Sequence, residues 1–216
     1  MGRLVVVEGL DGAGKRTLTD GLTGALRARG VSVARLAFPR YGASVHADLV
    51  RDALHGGLGD LPDSVHGMAV LFALDRLGAR EELLDARDRH DVVLVDRYIA
   101  SNAAYGAARL REDVDGPFVT WVRDLEVDRF GLPAPDLQLL LRVPVAVAAG
   151  RAARREDAEP ARARDSFESD GGLQTRTAAV YDQLAAIRWL GRWQVLDGRT
   201  MLDHERLADG LIRLAT

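Results

Sequence analysis

The chain contains no cysteine and a single lysine, Lys15. Without thiols there can be no disulfide framework, no thiolate zinc site and no cysteine nucleophile, and the expected setting is a reducing cytoplasm. Long apolar runs are missing too. The first one, Leu4-Val5-Val6-Val7, stops at Glu8, too short for a signal-peptide core, and none approaches the roughly 18–20 residues of a membrane span. Neither secretion nor membrane insertion is expected. Nor does charge of one sign dominate: 29 basic residues stand against 32 acidic ones, a net charge of −3 that offers no general attraction to nucleic acid or anionic lipid. Any anion binding must therefore be local. With 29 basic residues and one lysine, the other 28 are arginine, so an ammonium has been kept at one place.

What is present suits a soluble globular chain, at 47% hydrophobic and 28% charged residues. A length of 216 residues fits one larger α/β domain spanning 1–216. Short apolar runs at 4–7, 31–38, 92–95, 137–141 and 193–196 read as strands. All but the second have the continuous apolar core of a sheet buried on both faces. Helical stretches are expected at about 44–55, 63–88, 99–110, 116–130, 144–156, 166–188 and 203–215. The intervals are too long for hairpins, so the fold class is α/β, a five-stranded parallel sheet with helices on both faces. Residues 150–165 carry five arginines among acids and Pro160 with almost no large apolar side chain, which makes them a solvated face or a mobile flap.

Gly9-Leu10-Asp11-Gly12-Ala13-Gly14-Lys15-Arg16-Thr17 follows the first strand and opens the first helix. The pattern G-x-x-x-x-G-K in strand–loop–helix context is that of a phosphate-binding loop. Its glycines let successive N–H groups turn toward an anion, the helix start adds positive partial charge, and the lysine reaches the outer phosphates. Arg16 stands where a metal-binding hydroxyl is usual, with Thr17 one residue later. Asp11 would be repelled by phosphates unless a cation or hydrogen-bond donors stand beside it, which points to a bound Mg²⁺ or an incoming phosphate's shell; a solvated Asx turn is the alternative.

Phe38-Pro39-Arg40-Tyr41 ends the second strand and Asp96-Arg97-Tyr98 the third. Ligands of parallel sheets lie beyond the carboxyl ends of strands, which places Arg40 and Arg97 near the loop and lets Asp96 order metal-bound water or Thr17. Phe72 and Arg76 share one helix face, an aromatic plate and a planar donor suited to a nucleobase. Asn102 and Tyr105 could read a base edge and crowd a sugar. Asp165 and Glu168 could reach a metal.

In these motifs, which extend with Leu71–Arg76 and Arg162-Ala163-Arg164-Asp165 from residue 3 to about 185, the chain resembles the thymidylate kinases, P-loop nucleoside-monophosphate kinases. The resemblance implies a P-loop NTPase fold and transfer of the γ-phosphoryl group of ATP to dTMP, giving dTDP and ADP with Mg²⁺, in dTTP synthesis. It implies that residues 9–17 hold the donor phosphates, with Lys15 catalytic. Arg97, Tyr41 and Arg40 would hold the acceptor phosphate, with Phe38 and Pro39 beside them. Phe72 would stack on thymine, Arg76 would donate to O4, Asn102 would read the ring edge and Tyr105 would disfavour a ribose. Asp11, Asp165 and Glu168 would organise Mg²⁺ or the acceptor sugar. The arginine-rich flap, about 149–164, would be a lid over ATP. Gly12 occupies the position where some members carry a basic residue, so the catalytic charge is expected from Arg151, Arg155 or Arg162. Phe167 replaces the family's frequent tyrosine. The partners implied are dTMP, ATP and a second copy in a homodimer. Two alternatives stay open on the residues alone: a deoxynucleoside kinase, and a nucleotide-dependent switch.

Overall fold

A computed structural model describes residues 1–158 and 166–213, apart from the side chains at 155–158, 166 and 168. Five strands, β1 (Arg3–Glu8), β2 (Val33–Ala37), β3 (Val92–Asp96), β4 (Leu137–Arg142) and β5 (Arg192–Asp197), form one all-parallel sheet in the order β2-β3-β1-β4-β5. The chain fills one side of β1 with β3 and β2 and then crosses to the other with β4 and β5. This reversal makes the carboxyl end of β1 the topological switch point, where α/β sheets open a crevice for ligands.

Period-two alternation along β1 sorts its residues between two cores. Leu4 and Val6 pack with Ala103, Ala104 and Ala107 of α5 (Ile99–Leu110) and with Val180 and Leu184 of α9 (Gly171–Ala186). The run of alanines brings α5 close to the sheet. Val5 and Val7 face the other way, against Leu18, Leu22 and Leu26 of α1 (Lys15–Arg27) and Leu211 of α10 (His204–Arg213). Each of those α1 leucines is almost wholly buried, a contribution of about 1.5–3 kcal/mol apiece. A third cluster gathers Val50 and Leu54 of α2 (Val45–Leu54) with Met68 and Phe72 of α3 (Val65–Gly78).

Four expectations need correction. The stretch 63–88 is two helices, α3 and α4 (Arg80–Arg89). Gly78 weakens the helix there, the Arg40 guanidinium takes the carbonyl of Asp75, and the N–H of Ala79 bonds the Arg76 carbonyl in a tightened last turn. The stretch 116–130 is α-helical only over α6 (Pro117–Arg123) and continues as a π-helical turn, Asp124–Arg129. The stretch 166–188 breaks at Asp170, whose carboxylate caps α9 by accepting from the N–H of Leu173 at 2.8 Å, after the short α8 (Ser166–Ser169). Finally, the run 193–196, expected to be buried on both faces, belongs to β5 at a sheet edge, and only Leu196 on that strand is buried. The remaining helix, α7 (Val145–Ala158), leads out of β4. Among the described residues no helix is long and apolar enough to cross a membrane.

Candidate active site

From Glu8 the chain turns through the phosphate loop into α1. Gly9, Gly12 and Gly14 have φ of 141°, 76° and 102°, a region that side chains resist. At Gly12 space forbids a side chain as well, because a Cβ would stand 2.1 Å from the Ala148 carbonyl oxygen on α7. Leu10 and Ala13 anchor the loop in the core shared with α1. Among the described residues no side chain caps α1 and its first turn carries no acid, so its opening N–H groups remain available to an anion. Lys15 is buried, and its ammonium donates to the carbonyls of Gly9 at 3.2 Å and Leu10 at 2.9 Å. Burial, and then repulsion from Arg97, lowers its pKa against the pull of Asp11, Asp96 and Glu8. An ammonium resting on neutral carbonyls can exchange them for stronger bonds to phosphate oxygens.

Arg16 and Thr17 sit differently. Both are exposed, and Arg16 lies 4.0 Å from Asp20 on the outer surface of α1. Thr17 lines a side cleft with Ala13, Gly14, Arg151 and Thr200. There Arg151 donates to the carbonyls of Ala13 at 3.0 Å and Gly198 at 3.1 Å, tying α7 to the loop.

A second cleft opens at the carboxyl ends of β2 and β3. Asp11 joins Phe38, Pro39 and Tyr41 on one part of its wall, and Phe72 and Arg76 project from α3. Arg97 lines it from the β3–α5 turn and Ser101, Asn102 and Tyr105 from α5, together with Leu54 and Phe167. The parallel register that pairs Val7 with Asp96 brings Arg97 beside the phosphate loop. Arg97 has φ of 65°, costly for a side-chain-bearing residue at about 1–3 kcal/mol. It is held there by its N–H bond to the Val7 carbonyl at 3.0 Å and by guanidinium bonds to Asp11 and, at 3.2 Å, to Ser101.

Asp11 thus has the cation its position demands. Burial favours its neutral form, but Arg97, then Lys15, and the 2.8 Å hydrogen bond from the Tyr105 phenol outweigh it and hold the carboxyl well below its usual range. Burial and the neighbouring Asp11 push the Tyr105 phenol upward in return. Beneath this group lies Glu8, fully buried, which accepts from the N–H of Tyr98 at 2.9 Å, Ser101 Oγ at 2.6 Å and the Tyr181 hydroxyl at 2.9 Å. Desolvation raises the Glu8 pKa despite these bonds.

The sequence motifs thus line two clefts flanking one phosphate loop. The family model described as "Thymidylate kinase" matches residues 7–201. The thymidylate kinase of Mycobacterium tuberculosis is 55% identical over 205 residues, 95% of each chain. The human thymidylate kinase is 30% identical over 220 residues, all of this chain and 93% of that one. That of Xanthomonas oryzae is 32% identical over 216 residues, 99% and 81% of the two chains. The chain belongs to the thymidylate kinase family.

Within this thymidylate kinase architecture, the structure brings Asp11, Phe38, Pro39, Tyr41, Phe72, Arg76, Arg97, Asn102 and Tyr105 to one cleft. It does not bring Arg40 there. That guanidinium, expected at the acceptor phosphate, is committed to the buried carboxylate of Asp75 on α3 at 2.9 Å, while the Arg40 backbone N–H donates to the same carboxylate. The side chains of Arg155 and Glu168, and Arg162 and Asp165 entirely, lie outside the described residues. Phe167 stacks on Tyr105 with ring centroids 6.5 Å apart and carries the Arg109 guanidinium over its own face at 4.6 Å.

Sequence reasoning missed Glu8, Ser101, Tyr181 and Glu126. Glu126 is fully buried and bonded to both Arg76 and Asn102. Signals existed: Glu8 ends a strand of otherwise apolar residues, and Glu126 follows Phe118, Val119 and Val122 at helical spacing, a carboxylate on an apolar face.

For a divalent cation, no group of three or more acidic or histidine side chains exists among the described residues. Mg²⁺, however, commonly uses one or two carboxylates with substrate phosphates and water. Asp96 Oδ1 is buried without a hydrogen-bond partner among the described residues, at the carboxyl end of β3 next to β1. An acceptor left in that condition fits a cation or its water.

Proposed function

We propose that this chain transfers the γ-phosphoryl group of ATP to the 5′-phosphate of dTMP, yielding dTDP and ADP for dTTP synthesis. The observation that carries the reading is the cleft itself. It presents Phe72, Arg76 and Asn102, groups suited to a base, and Arg97, a cation suited to a phosphate, beside the loop that would hold the donor. A nucleoside acceptor without a phosphate would make no use of the cation that Arg97, held by Asp11 and Ser101, presents at the cleft wall.

In this reading Lys15 and the amides of residues 9–17 bind the ATP phosphates, and the side cleft at Thr17 and Arg151 receives the rest of the donor. Arg97 and Tyr41 hold the acceptor phosphate, Phe72 stacks on thymine, Arg76 donates to O4, and Tyr105 crowds the 2′ position. Asp11 fixes Arg97 and Tyr105 against the sugar end. Bound Mg²⁺ would add charge neutralisation, with Asp96 and Asp11, and Glu168 or Asp165, as its ligands directly or through water. The attacking oxygen is already anionic, so the residues need only gather two like-charged reactants and exclude water, not remove a proton. In the same reading the arginine-rich segment at about 149–164 serves as a lid over ATP, with Arg151, Arg155 and Arg162 as the candidates for its catalytic arginine.

We further read the molecule as a cytoplasmic homodimer of single-domain subunits. Val70, Leu74 and Leu77, spaced i, i+4 and i+7 on α3, are only half-buried and offer an apolar stripe to a second copy. The reaction is tested by mixing purified protein with ATP, Mg²⁺ and dTMP and following dTDP. Turnover that Lys15→Ala abolishes is expected. ATP hydrolysis indifferent to dTMP, or a preference for dCMP or AMP, would overturn the reading.

A further inference from the structure

Resting on the reading of the cleft as a dTMP site, we propose that Glu126 is the positioning residue that sets base selectivity. It fixes Arg76 as a donor and Asn102 as an acceptor toward the base.

The π-helical turn Asp124–Arg129 puts Glu126 behind the cleft wall, with no exposed surface. Such wide turns are frequent at functional sites. A carboxylate only accepts, and this one accepts three hydrogens: from Arg76 Nε at 2.5 Å, from Arg76 Nη2 at 2.8 Å and from Asn102 Nδ2 at 2.8 Å. The same Asn102 nitrogen donates to the Ala69 carbonyl at 3.0 Å. Two acceptors therefore face one end of the amide, which settles that this end is the NH₂ and that both its hydrogens are engaged. What Asn102 retains for a ligand is its carbonyl oxygen. Arg76, with Nε and Nη2 engaged, retains donor capacity only.

The wall thus offers one donor and one acceptor that cannot exchange places. A lactam edge matches it, with a ring carbonyl facing Arg76 and a ring N–H facing Asn102, as in thymine or uracil. The amidine edge of cytosine reverses both groups and sets donor against donor and acceptor against acceptor. A site built on buried hydrogen-bonding groups rejects such a mismatch far more strongly than the loss of a methyl group.

The test compares kcat/KM for dTMP, dUMP and 5-methyl-dCMP in the wild-type protein and in Glu126→Gln and Glu126→Asp. 5-Methyl-dCMP keeps the shape of dTMP and reverses only the polar edge. In the wild type it should fall at least about 10³-fold below dTMP, and dUMP far less. In Glu126→Gln an NH₂ replaces one acceptor, the Asn102 amide is freed to turn, and the ratio of dTMP to 5-methyl-dCMP should drop at least about tenfold. The change should appear chiefly in the acceptor's KM, with the KM for ATP held. Glu126→Asp, which keeps the carboxylate, should retain more of the ratio. A purely structural role would lower all acceptors together and leave the ratio unchanged, and that result in folded Glu126→Gln overturns the proposal. Should that variant not fold, wild-type use of 5-methyl-dCMP within about tenfold of dTMP overturns it equally. Absence of dTMP turnover in the wild type would instead refute the dTMP reading.

Discussion

Tyr105 donates its phenolic hydrogen to Oδ2 of Asp11 at 2.8 Å, while Arg97 engages the other oxygen of that carboxylate and lies 5.5 Å over the Tyr105 ring. Side chains from the phosphate loop, the β3–α5 turn and α5 are thereby locked to one another beside the cleft. A charged hydrogen bond of this kind is worth about 1.5–3 kcal/mol.

Tyr105→Phe removes that bond and leaves the ring. Activity toward dTMP should fall by roughly tenfold, the equivalent of about 1.4 kcal/mol, through a loosened Asp11–Arg97 pair. Tyr105→Ala should in addition admit a 2′-hydroxyl, narrowing the preference for dUMP over UMP. Steady-state kinetics with dTMP, dUMP and UMP checks this; unchanged sugar discrimination in the alanine variant would refute the steric role.

The two clefts should separate under mutation. Arg76→Ala should weaken dTMP binding much more than ATP binding, because Arg76 lines the cleft proposed for the acceptor and not the side cleft at Thr17 and Arg151. Arg151→Ala removes the bonds to the Ala13 and Gly198 carbonyls and should raise the KM for ATP with little change for dTMP. Isothermal calorimetry with each ligand distinguishes them, and identical effects on both ligands would contradict the division.

Glu8 makes a prediction about pH. Its pKa is raised in the folded chain above its ordinary 4.5, so the folded state holds this proton more tightly than the unfolded state. Its contribution to stability is therefore greatest at low pH and declines as pH rises through the window above about 4.5. Glu8→Gln lacks this titration. The melting temperature of the variant relative to the wild type should move in the variant's favour between about pH 4 and pH 8. A constant difference would show that Glu8 titrates alike in both states.

Gly12→Ala meets both a positive φ and the Ala148 carbonyl. The backbone term alone costs about 1–3 kcal/mol, and the clash forces the loop off α7. Thermal melts should show the destabilisation and calorimetry with an ATP analogue the loss of donor binding. A variant that binds the analogue normally would mean that the loop can move without harm.

Local chemistry was enough to read the phosphate loop, because its glycines, lysine and helix start are contiguous and each acts through its own backbone. The strand runs were legible for the same reason, and so was the pairing of Phe72 with Arg76 on one helix face. Arg40 was not. In sequence it resembles Arg97, a cation after a strand, and only the packing of α3 decides that it meets the buried carboxylate of Asp75 while Arg97 meets Asp11.

The sequence by itself determined that a glycine-rich loop with its lysine opens α1 after β1, and that Phe72 and Arg76 share one face of α3, since those follow from spacing along single elements. Only the tertiary structure decided how those residues are aimed. Glu8 with Ser101 and Tyr181, and Glu126 with Arg76 and Asn102, lie 24 to 173 positions apart along the chain. Their carboxylates can be buried only because the fold brings donors to them. No periodicity records that requirement, because it is imposed by the cost of leaving a buried charge without partners.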